Sequence, residues 1–526
     1  MGVGTSLRAS PDWKKDPREI FNSKLLLLGN TIAFAGCSYG FDQGNIGGIM
    51  TFPSFRRAFG FDTISEEEAN TRVAAGGTGG ALLAAPLSDF LGRKKAVTSM
   101  AALFLVGCSM QEVPNLNLFY AGRLLAGVAI GATSMLAPQY LAENSPKSIR
   151  GSLTTSYNLM IILALAIAFW VNYAVSLWPN QDPDNNKAWQ LALGIQLIPG
   201  FFLFALFWFV VETPRALISK GKQERGLKNL CKLRGLPAEH PYVHEEYLEI
   251  LAQSEAEQSQ AKGHGYIVVV KDVVTNASSR RRLFLAVMLF LFHELTGAHL
   301  GTDSLNYFAP QIFAMIGVPK GSSSLLTTGV YRVVKLVTTI IYVNVIVDRV
   351  GRRLPLMIGA TIQATAMLYI GLFLRFSDVQ PGSGTTPGGV SFGHSVAPYV
   401  VAAEIFPSRV RSVCKPCCLF TNWIVNYGIT SATPHMLSTM KYGTFLFFSI
   451  MTYIGVIFVF FCLPELKGRS IESMDDLFAN SLWTMFKRAY PTEDEKVGHD
   501  VQEQLQHEED KGVWHVTMVE NSGRRA

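Results

Sequence analysis

The sequence predicts an all-α polytopic membrane protein with twelve membrane-spanning helices arranged in two six-helix halves. Of its 526 residues, 49% are hydrophobic and only 16% are charged, whereas soluble domains usually carry about 25% charged residues. The chain therefore has too little polar surface to cover a soluble globule of its size. Its net charge of +6 does not indicate nucleic-acid binding, because the basic residues concentrate in short loops on one side of the predicted membrane.

Two unlike motifs occur once in each half. Residues 89–93 (Asp-Phe-Leu-Gly-Arg) recur as residues 348–352 (Asp-Arg-Val-Gly-Arg), 259 positions later. The pattern Glu-x-x-Pro-x-x-x-Arg at 143–150 recurs at 404–411, 261 positions later. Nearly equal offsets indicate a parallel duplication, which in transporters places a substrate site between the halves near the membrane midplane.

Apolar stretches of about 17–25 residues can cross a bilayer as helices. Twelve are predicted, at residues 26–50, 72–91, 95–114, 118–142, 152–175, 188–211, 283–315, 324–347, 354–375, 390–406, 412–435 and 442–463. The second and tenth are predicted to be short. Lys and Arg cluster in the loops after the second, fourth, eighth and tenth stretches, so the positive-inside bias puts both termini in the cytoplasm.

The domain organisation follows from these stretches and the polar segments around them. It comprises an N-terminal tail, a first six-helix half, a helical cytoplasmic linker, a second six-helix half and a C-terminal tail, at residues 1–25, 26–212, 213–282, 283–463 and 464–526.

Two ionisable residues lie inside predicted spans of the first half. Asp42 stands among glycines in the first span, and Arg123 stands early in the fourth. Intramembrane charges are costly and usually mark a substrate pathway or a proton relay. Protonation of Asp42 would release Arg123 and couple a proton to a conformational change. The alternative interpretation is a static structural ion pair.

A second set of charged residues flanks the cytoplasmic helix ends. Charge-assisted hydrogen bonds among them can hold neighbouring helix ends together, so we interpret them as a gate that breaks when the halves rock apart. The predicted gate residues are Asp89, Arg93, Glu143, Arg150, Glu212, Arg215, Asp348, Arg352, Glu404, Arg411 and Glu465.

The sequence argues against an enzyme. The segment 293–299 (His-Glu-Leu-Thr-Gly-Ala-His) resembles a zinc protease motif, but its histidines are six positions apart instead of four. No Walker A sequence and no nucleophile–base constellation is present. We therefore expect no catalytic residues, no metal and no cofactor.

Several motifs together resemble the sugar porter family of the major facilitator superfamily. Besides the repeated motifs, they are residues 138–151 (Pro-Gln-Tyr-Leu-Ala-Glu-Asn-Ser-Pro-Lys-Ser-Ile-Arg-Gly), 212–215 (Glu-Thr-Pro-Arg), 403–409 (Ala-Glu-Ile-Phe-Pro-Ser-Arg) and 464–472 (Pro-Glu-Leu-Lys-Gly-Arg-Ser-Ile-Glu). The stretches 235–246 and 326–335 look most like fungal quinate permeases. The resemblance spans residues 25–478 and implies an alternating-access carrier with a proton site at Asp42 and Arg123.

The resemblance also implies the substrate-binding positions, which are Asn158, His293, Glu294, Asp303, His394 and Asn422. Most of them depart from the family, which usually has Gln in place of Asn158, a Gln pair at 293–294, Asn at 303 and Trp at 394. The added His and acid groups suit a substrate with more hydrogen-bond donors or a proton-sensitive site; relaxed constraint on these positions is the alternative interpretation.

The sequence thus predicts a monomeric plasma-membrane carrier that imports a sugar-like polyhydroxylated compound (hexose, quinate or polyol) together with a proton. Three alternatives remain: an exporter of a fungal secondary metabolite, an uncoupled facilitator, and a non-transporting nutrient sensor. A sensor is disfavoured by the short C-terminal tail, which lacks visible repeats.

Overall fold

The computed structural model describes residues 17–50, 52–59, 66–146, 149–178, 185–261, 271, 273–295, 322–341, 353–376, 408–464 and 478. Within these ranges the protein contains helices and no strand. The helices of the first half are α1 Ser23–Ile49, α2 Pro53–Phe59, α3 Glu66–Leu91, α4 Arg93–Gln111, α5 Leu116–Asn144, α6 Arg150–Ser176, α7 Lys187–Gly194 and α8 Leu197–Leu206. Those that follow are α9 Pro214–Ser219, α10 Gln223–Arg234, α11 Pro241–Ala261, α12 Ala277–Leu295, α13 Ser322–Ile341, α14 Arg353–Phe376, α15 Ser408–Thr439 and α16 Tyr442–Cys462.

Each predicted span except the tenth overlaps at least one of these helices; residues 296–315 of the seventh, 342–347 of the eighth and all of 390–406 lie outside the described part. The sixth span is broken at Ile195 and Gln196, where α7 gives way to α8. The expectation of a short second span is wrong, since α3 has 26 residues. At 1.5 Å per residue it reaches about 39 Å, more than the ~30 Å apolar thickness of a bilayer.

Among the described residues, five stretches are long and apolar enough to cross a membrane by length and composition alone. They are Leu116–Asn144, Ser156–Ser176, Lys187–Leu206, Arg353–Phe376 and Tyr442–Cys462. The first of them, α5, is also deeply buried among other helices. An apolar helix that is covered by other helices belongs to the interior of a membrane bundle.

Helices begin and end where the sequence supplies caps. The Asn22 side chain accepts hydrogen bonds from the first backbone N–H groups of α1, and Asn115 does the same for α5. Thr213 caps α9, with Pro214 in its first turn. Gly235 ends α10 with a φ of 72°, in the left-handed region where glycine is the favoured residue.

Helix pairs form the core of each half. In the first half α1 packs on α6, and α5 packs on both α3 and α4. In the second half α14 packs on α16, and α12 on α15. The halves meet where α15 contacts α3 and where α13 contacts α6. The Trp423 ring of α15 lies against Gly77 of α3 and 5.9 Å from the ring of Tyr39.

The contact between α1 and α6 depends on glycines at every fourth position of α1. Gly36, Gly40, Gly44 and Gly48 all face α6, and a Cβ added to Gly40 would lie 2.2 Å from the carbonyl oxygen of Ile161. Small residues at this spacing let two helix backbones approach closely, which stabilises helix pairs in membranes through packing. The stripe therefore fixes how deeply α1 sits in the bundle.

We expect Gly40→Ala to destabilise the protein by about 2 kcal/mol, because the added methyl group forces α1 away from the backbone of α6. The matched control is Gly79→Ala, where an added Cβ would have no neighbour within 4 Å. Thermal denaturation in detergent, followed by the loss of the monodisperse chromatographic peak, measures both variants. Equal stability of the two variants would contradict the close packing.

Candidate transport site

Asp42 and Arg123 form an ion pair in the interior of the first half. The Arg123 Nη1 donates to Asp42 Oδ1 at 2.8 Å, and both side chains are fully buried. α1 carries the carboxylate and α5 carries the guanidinium. The pair predicted from two lone intramembrane charges is thus a direct contact in the structure.

Close helix packing seals this pair from water. The glycine stripe holds α1 on α6, and a Cβ added to Gly122, the neighbour of Arg123, would lie 2.5 Å from the carbonyl oxygen of Gly107 on α4. The Gln111 side chain also lies against Gly122. Water exclusion strengthens the attraction between opposite charges and raises the cost of separating them.

The ion pair is only partly satisfied by hydrogen bonds. Within the described residues, Asp42 Oδ2 has no hydrogen-bond partner, and neither have the Nε and Nη2 atoms of Arg123. Buried polar atoms are normally paired, so each exception calls for an explanation, and a functional role is one of them. The second oxygen of Asp42 can therefore accept a proton while the first still contacts Arg123.

Two asparagines that the sequence motifs did not indicate hold the helices around the pair. Asn45 Nδ2 donates to the carbonyl oxygen of Ala192 on α7 at 2.6 Å, and Asn172 Nδ2 donates to the carbonyl oxygen of Asn45 at 2.9 Å. Both side chains are buried. Their positions inside predicted spans were the available signal, since a buried amide needs a partner.

The second half contributes a polar cluster between α12 and α15. Glu294 Oε2 accepts a hydrogen bond from Asn426 Nδ2 at 3.3 Å, and Glu294 Oε1 lies 4.0 Å from His293 Nδ1. Thr430 donates to Asn426 Oδ1 at 3.4 Å. His293, Glu294 and Asn426 are all buried, so the cluster presents hydrogen-bonding groups away from water.

Asn422 lies one helical turn before Asn426 on α15 and is also buried. Its Oδ1 has no hydrogen-bond partner among the described residues, so it can accept a hydrogen bond from a ligand hydroxyl. Asn158 lies half-buried on α6, in the other half. Asp303 and His394, the remaining predicted substrate residues, lie outside the described part of the chain.

The predicted gate residues of the first half come together at the helix ends. Arg93 Nη1 lies 3.4 Å from Asp89 Oδ1, and Arg93 Nε lies 3.3 Å from Glu143 Oε2. Gln139 Nε2 donates to Glu143 Oε1 at 3.0 Å. These contacts join the end of α3, the start of α4 and the last turn of α5, all within the first half.

Glu212, in the segment between α8 and α9, lies beside these predicted gate residues. Its Oε1 accepts hydrogen bonds from the backbone N–H groups of Lys94 at 3.1 Å and Thr213 at 3.2 Å. Gly92 precedes α4 with a φ of 91°, and a Cβ there would lie 2.7 Å from Glu212 Oε2. A carboxylate at the first turn of α4 also stabilises the positive end of the helix dipole.

The other predicted gate residues are less fully described. Arg215 lies half-buried in α9. The side chains of Arg150 and Arg411 lie outside the described part, as do residues Asp348, Arg352, Glu404 and Glu465 altogether. The contacts of the repeated motif are therefore known for the first half.

A contact of the linker was not expected from the sequence. The buried Arg234 at the end of α10 binds Glu246 of α11 at 2.8 Å and 2.5 Å and donates to the carbonyl oxygen of Asn144 at 2.8 Å. Asn22 donates to the carbonyl oxygen of Leu233 at 3.0 Å. The linker helices are thus tied to the ends of α1 and α5.

Comparison with known proteins identifies the family of the chain. The family model described as "Sugar (and other) transporter" matches residues 29–478. A probable quinate permease of Aspergillus fumigatus is 35% identical to this chain, and the alignment covers 95% of this chain and 96% of the relative. The quinate permease of Emericella nidulans is 33% identical, covering 90% of this chain and 92% of the relative.

Solved structures share the fold. The xylose transporter XylE from E. coli, in a partially occluded inward open conformation, aligns with a TM-score of 0.66 at 23% identity, over 86% of this chain and 100% of that one. A second structure of XylE, described as a major facilitator superfamily proton:xylose symporter, is bound to 6-bromo-6-deoxy-D-glucose. It aligns with a TM-score of 0.70 at 22% identity, over 87% of this chain and 99% of that one.

These matches confirm the resemblance to the sugar porter family and the all-α membrane fold class predicted from the sequence. The chain is an all-α, multi-pass membrane protein and a transporter rather than an enzyme. It belongs to the sugar transporter family of the major facilitator superfamily.

Proposed function

We propose that this protein is a proton-coupled importer of a sugar-like polyhydroxylated compound, with quinate as the first candidate, working by alternating access. The observation that carries the proposal is the fully buried contact between Asp42 and Arg123. Such a pair inside a membrane bundle is costly to maintain and is typical of proton relays.

The geometry of the Asp42–Arg123 pair supports the proposed coupling. When Asp42 is ionised, its attraction to Arg123 holds α1 and α5 together. When Oδ2 takes a proton, the attraction falls and the two helices can move apart. Because α1 is fixed on α6 and α5 on α3 and α4, this movement shifts whole helix pairs relative to one another.

Substrate hydroxyls would bind the amide and carboxylate groups of the second half. Glu294 and Asn426 accept and donate hydrogen bonds in one cluster, and Asn422 adds an acceptor on the same helix. With Asn158 on α6, groups from both halves are available. The quinate permease names of the relatives support a hydroxylated acid.

Labelled uptake tests the function directly. Quinate, glucose, xylose and myo-inositol would be supplied at acidic and at neutral pH to yeast cells that lack their own hexose carriers. We expect one of them to accumulate, more strongly at acidic pH, with the protein in the plasma membrane and active as a monomer. Efflux alone would favour an exporter, pH-independent equilibration a facilitator, and no transport at all a sensor.

We expect Asp42→Asn to abolish accumulation against a gradient, because the amide cannot carry the proton. Exchange of external for internal substrate should persist, since exchange does not require proton release. Glu224→Gln, in the exposed part of the linker helix α10, is the matched control and should behave as wild type. Undiminished accumulation in Asp42→Asn, at normal surface expression, would exclude coupling through this residue.

We expect Glu143→Gln to lower the uptake rate several-fold, because it removes the ionic contact that Arg93 makes with α5. The charge-exchanged double variant Arg93→Glu/Glu143→Arg should recover part of the rate. Initial uptake rates at matched surface expression measure both. A rate unchanged in Glu143→Gln would show that this contact does not limit the transport cycle.

A further inference from the structure

The Asp42–Arg123 pair lies well below the ends of the helices that carry it. Asp42 stands seven residues before the end of α1 at Ile49, and Arg123 stands seven residues after the start of α5 at Leu116. At 1.5 Å per residue, each charge is about 10 Å from that end of its helix. In the predicted topology these ends face the outside. Because both side chains are fully buried, an external proton needs a group that collects it nearer to the surface.

Glu112 is a carboxylate in a suitable position. It follows α4 directly, at the outer end of the predicted third span, and it is half-buried. Its Oε1 is buried and has no hydrogen-bond partner among the described residues. Its backbone is held in place, since Gln190 Nε2 of α7 donates to the Glu112 carbonyl oxygen at 2.9 Å. A fixed, partly exposed carboxylate with one unpaired oxygen can take up a proton from external water.

The face of α4 that carries Glu112 leads inward to the ion pair. Cys108 lies one helical turn before Glu112 on the same face and is fully buried. The charges of Asp42, Arg123 and Glu112 all act on the Cys108 thiol, which places the three ionisable groups around one side chain. Glu112 lies about 6 Å farther along the axis of α4 than Cys108, in the outward direction.

Helix α7 contacts both Glu112 and the turn of α1 that follows Asp42. The carbonyl oxygen of Ala192 accepts the hydrogen bond from Asn45, which lies one turn beyond Asp42. Two residues after Ala192, a Cβ added to Gly194 would lie 3.6 Å from Glu112 Oε1. One short stretch of α7 therefore connects the surroundings of the two carboxylates.

Buried amides with unpaired atoms occur on the same helices. Gln111 precedes Glu112 and packs on Gly122, the neighbour of Arg123, with 2.9 Å from its Cγ to an added Cβ. Gln196 lies at the break between α7 and α8. Within the described residues, neither side-chain polar atom of Gln196 has a partner, and neither has Gln111 Oε1. Buried polar groups of this kind bind internal water, and hydrogen-bonded water can carry a proton between two groups.

We propose that Glu112 is the outer proton acceptor of the transporter, which takes a proton from external water and passes it to Asp42 through water held by the buried amides. The inference deepens the proposed function, on which it rests for the proton coupling itself. The proton binds first to Glu112 and then moves to Asp42 Oδ2, which leaves Glu112 charged and ready to bind the next proton. No other bond forms or breaks in this step.

The helices packed on α4 bring few other charges towards Glu112. These helices are α3, α5, α7 and α8. The outer half of α5 carries Arg123, α7 carries the exposed Lys187 at its start, and α8 carries no charged residue. On α3 the side chains of the acidic residues 66–68 and of Arg72 lie outside the described part. Apart from the ion pair, Glu112 is therefore the acidic group that the described side chains offer in this region.

Uptake kinetics in cells test the relay with Glu112→Gln, which keeps the shape of the side chain and removes the proton acceptor. The probe is whichever of labelled quinate, glucose, xylose and myo-inositol accumulates in wild-type cells. We expect the initial uptake rate to fall several-fold at neutral external pH, where free protons are scarce, and much less at acidic pH. Final accumulation and the exchange of external for internal substrate should stay near wild type, because the relay sets the rate of proton delivery and not the coupling ratio.

Three further variants separate proton delivery from a structural effect, all compared at matched surface expression. Glu112→Asp keeps a carboxyl group and should largely keep the wild-type pH profile. Glu224→Gln, exposed on α10, is the matched control for the loss of a carboxylate and should leave the profile unchanged. Glu112→Ala removes the same group and repeats the test where Glu112→Gln is poorly expressed.

The outcomes separate the relay from the transport function. A rate in Glu112→Gln that equals wild type at neutral pH, or that falls by the same factor at both pH values, would overturn the relay while proton-coupled uptake stands. Accumulation of none of the four compounds in wild-type cells would overturn the proposed function and the relay with it. A loss of rate at neutral pH that Glu112→Asp restores supports the relay.

Discussion

The burial of one ion pair in a medium without water constrains the first half of the molecule. Separating Asp42 from Arg123 in such surroundings leaves two uncompensated charges, a penalty of several kcal/mol. The pair is therefore stable only while α1 and α5 stay closely packed with their neighbours. The glycines of α1, and the contact between Gly107 and Gly122, provide this packing. The close packing of helix backbones in the first half therefore keeps Asp42 and Arg123 in contact.

The two halves present different polar surfaces. In the first half, amides such as Asn45 and Asn172 bind backbone carbonyl oxygens and fix helix positions. In the second half, the polar groups of α12 and α15 contact each other through side chains. Side-chain contacts can be exchanged for ligand contacts without unwinding a helix. The second half is accordingly the better candidate for direct substrate binding, and the first half for coupling.

Much of the candidate site could be predicted because charged residues are rare inside membrane-spanning stretches, so the few that occur there are easily recognised. Asp42 and Arg123 stand out in apolar stretches, and the repeated motif marks Asp89, Arg93 and Glu143 as partners at neighbouring helix ends. Helix α3 was underestimated because its first turns, at Glu66 and beyond, are acidic and carry no apolar signal. Acidic residues end an apolar stretch in the sequence, but they do not end a helix.

Other features had no signal in a single sequence. Arg234 resembles an ordinary surface arginine of an amphipathic helix, and only the folded linker reveals that it is buried against Asn144. The break at Ile195 and Gln196 did have a signal, because Pro199 lacks the N–H that would bond the carbonyl oxygen of Ile195, four residues earlier. The stacking of Arg332 on Phe169 joins residues from different halves, and local patterns carry no information on such a pairing.

Helix α6 packs against α1, which carries Asp42, and against the side chain of Arg332. Two consecutive residues of α6 face different partners: Ala168 contacts Gly44 of α1, where an added Cβ would lie 2.7 Å away, and Phe169 stacks under Arg332 of α13. Gly44 is two residues from Asp42, so a shift of α1 is transmitted to α6 over a contact that cannot be compressed. The same shift moves the ring on which Arg332 rests. In the proposed mechanism, rigid packing rather than a direct bond between the charges is the physical route by which proton binding at Asp42 changes the position of Arg332.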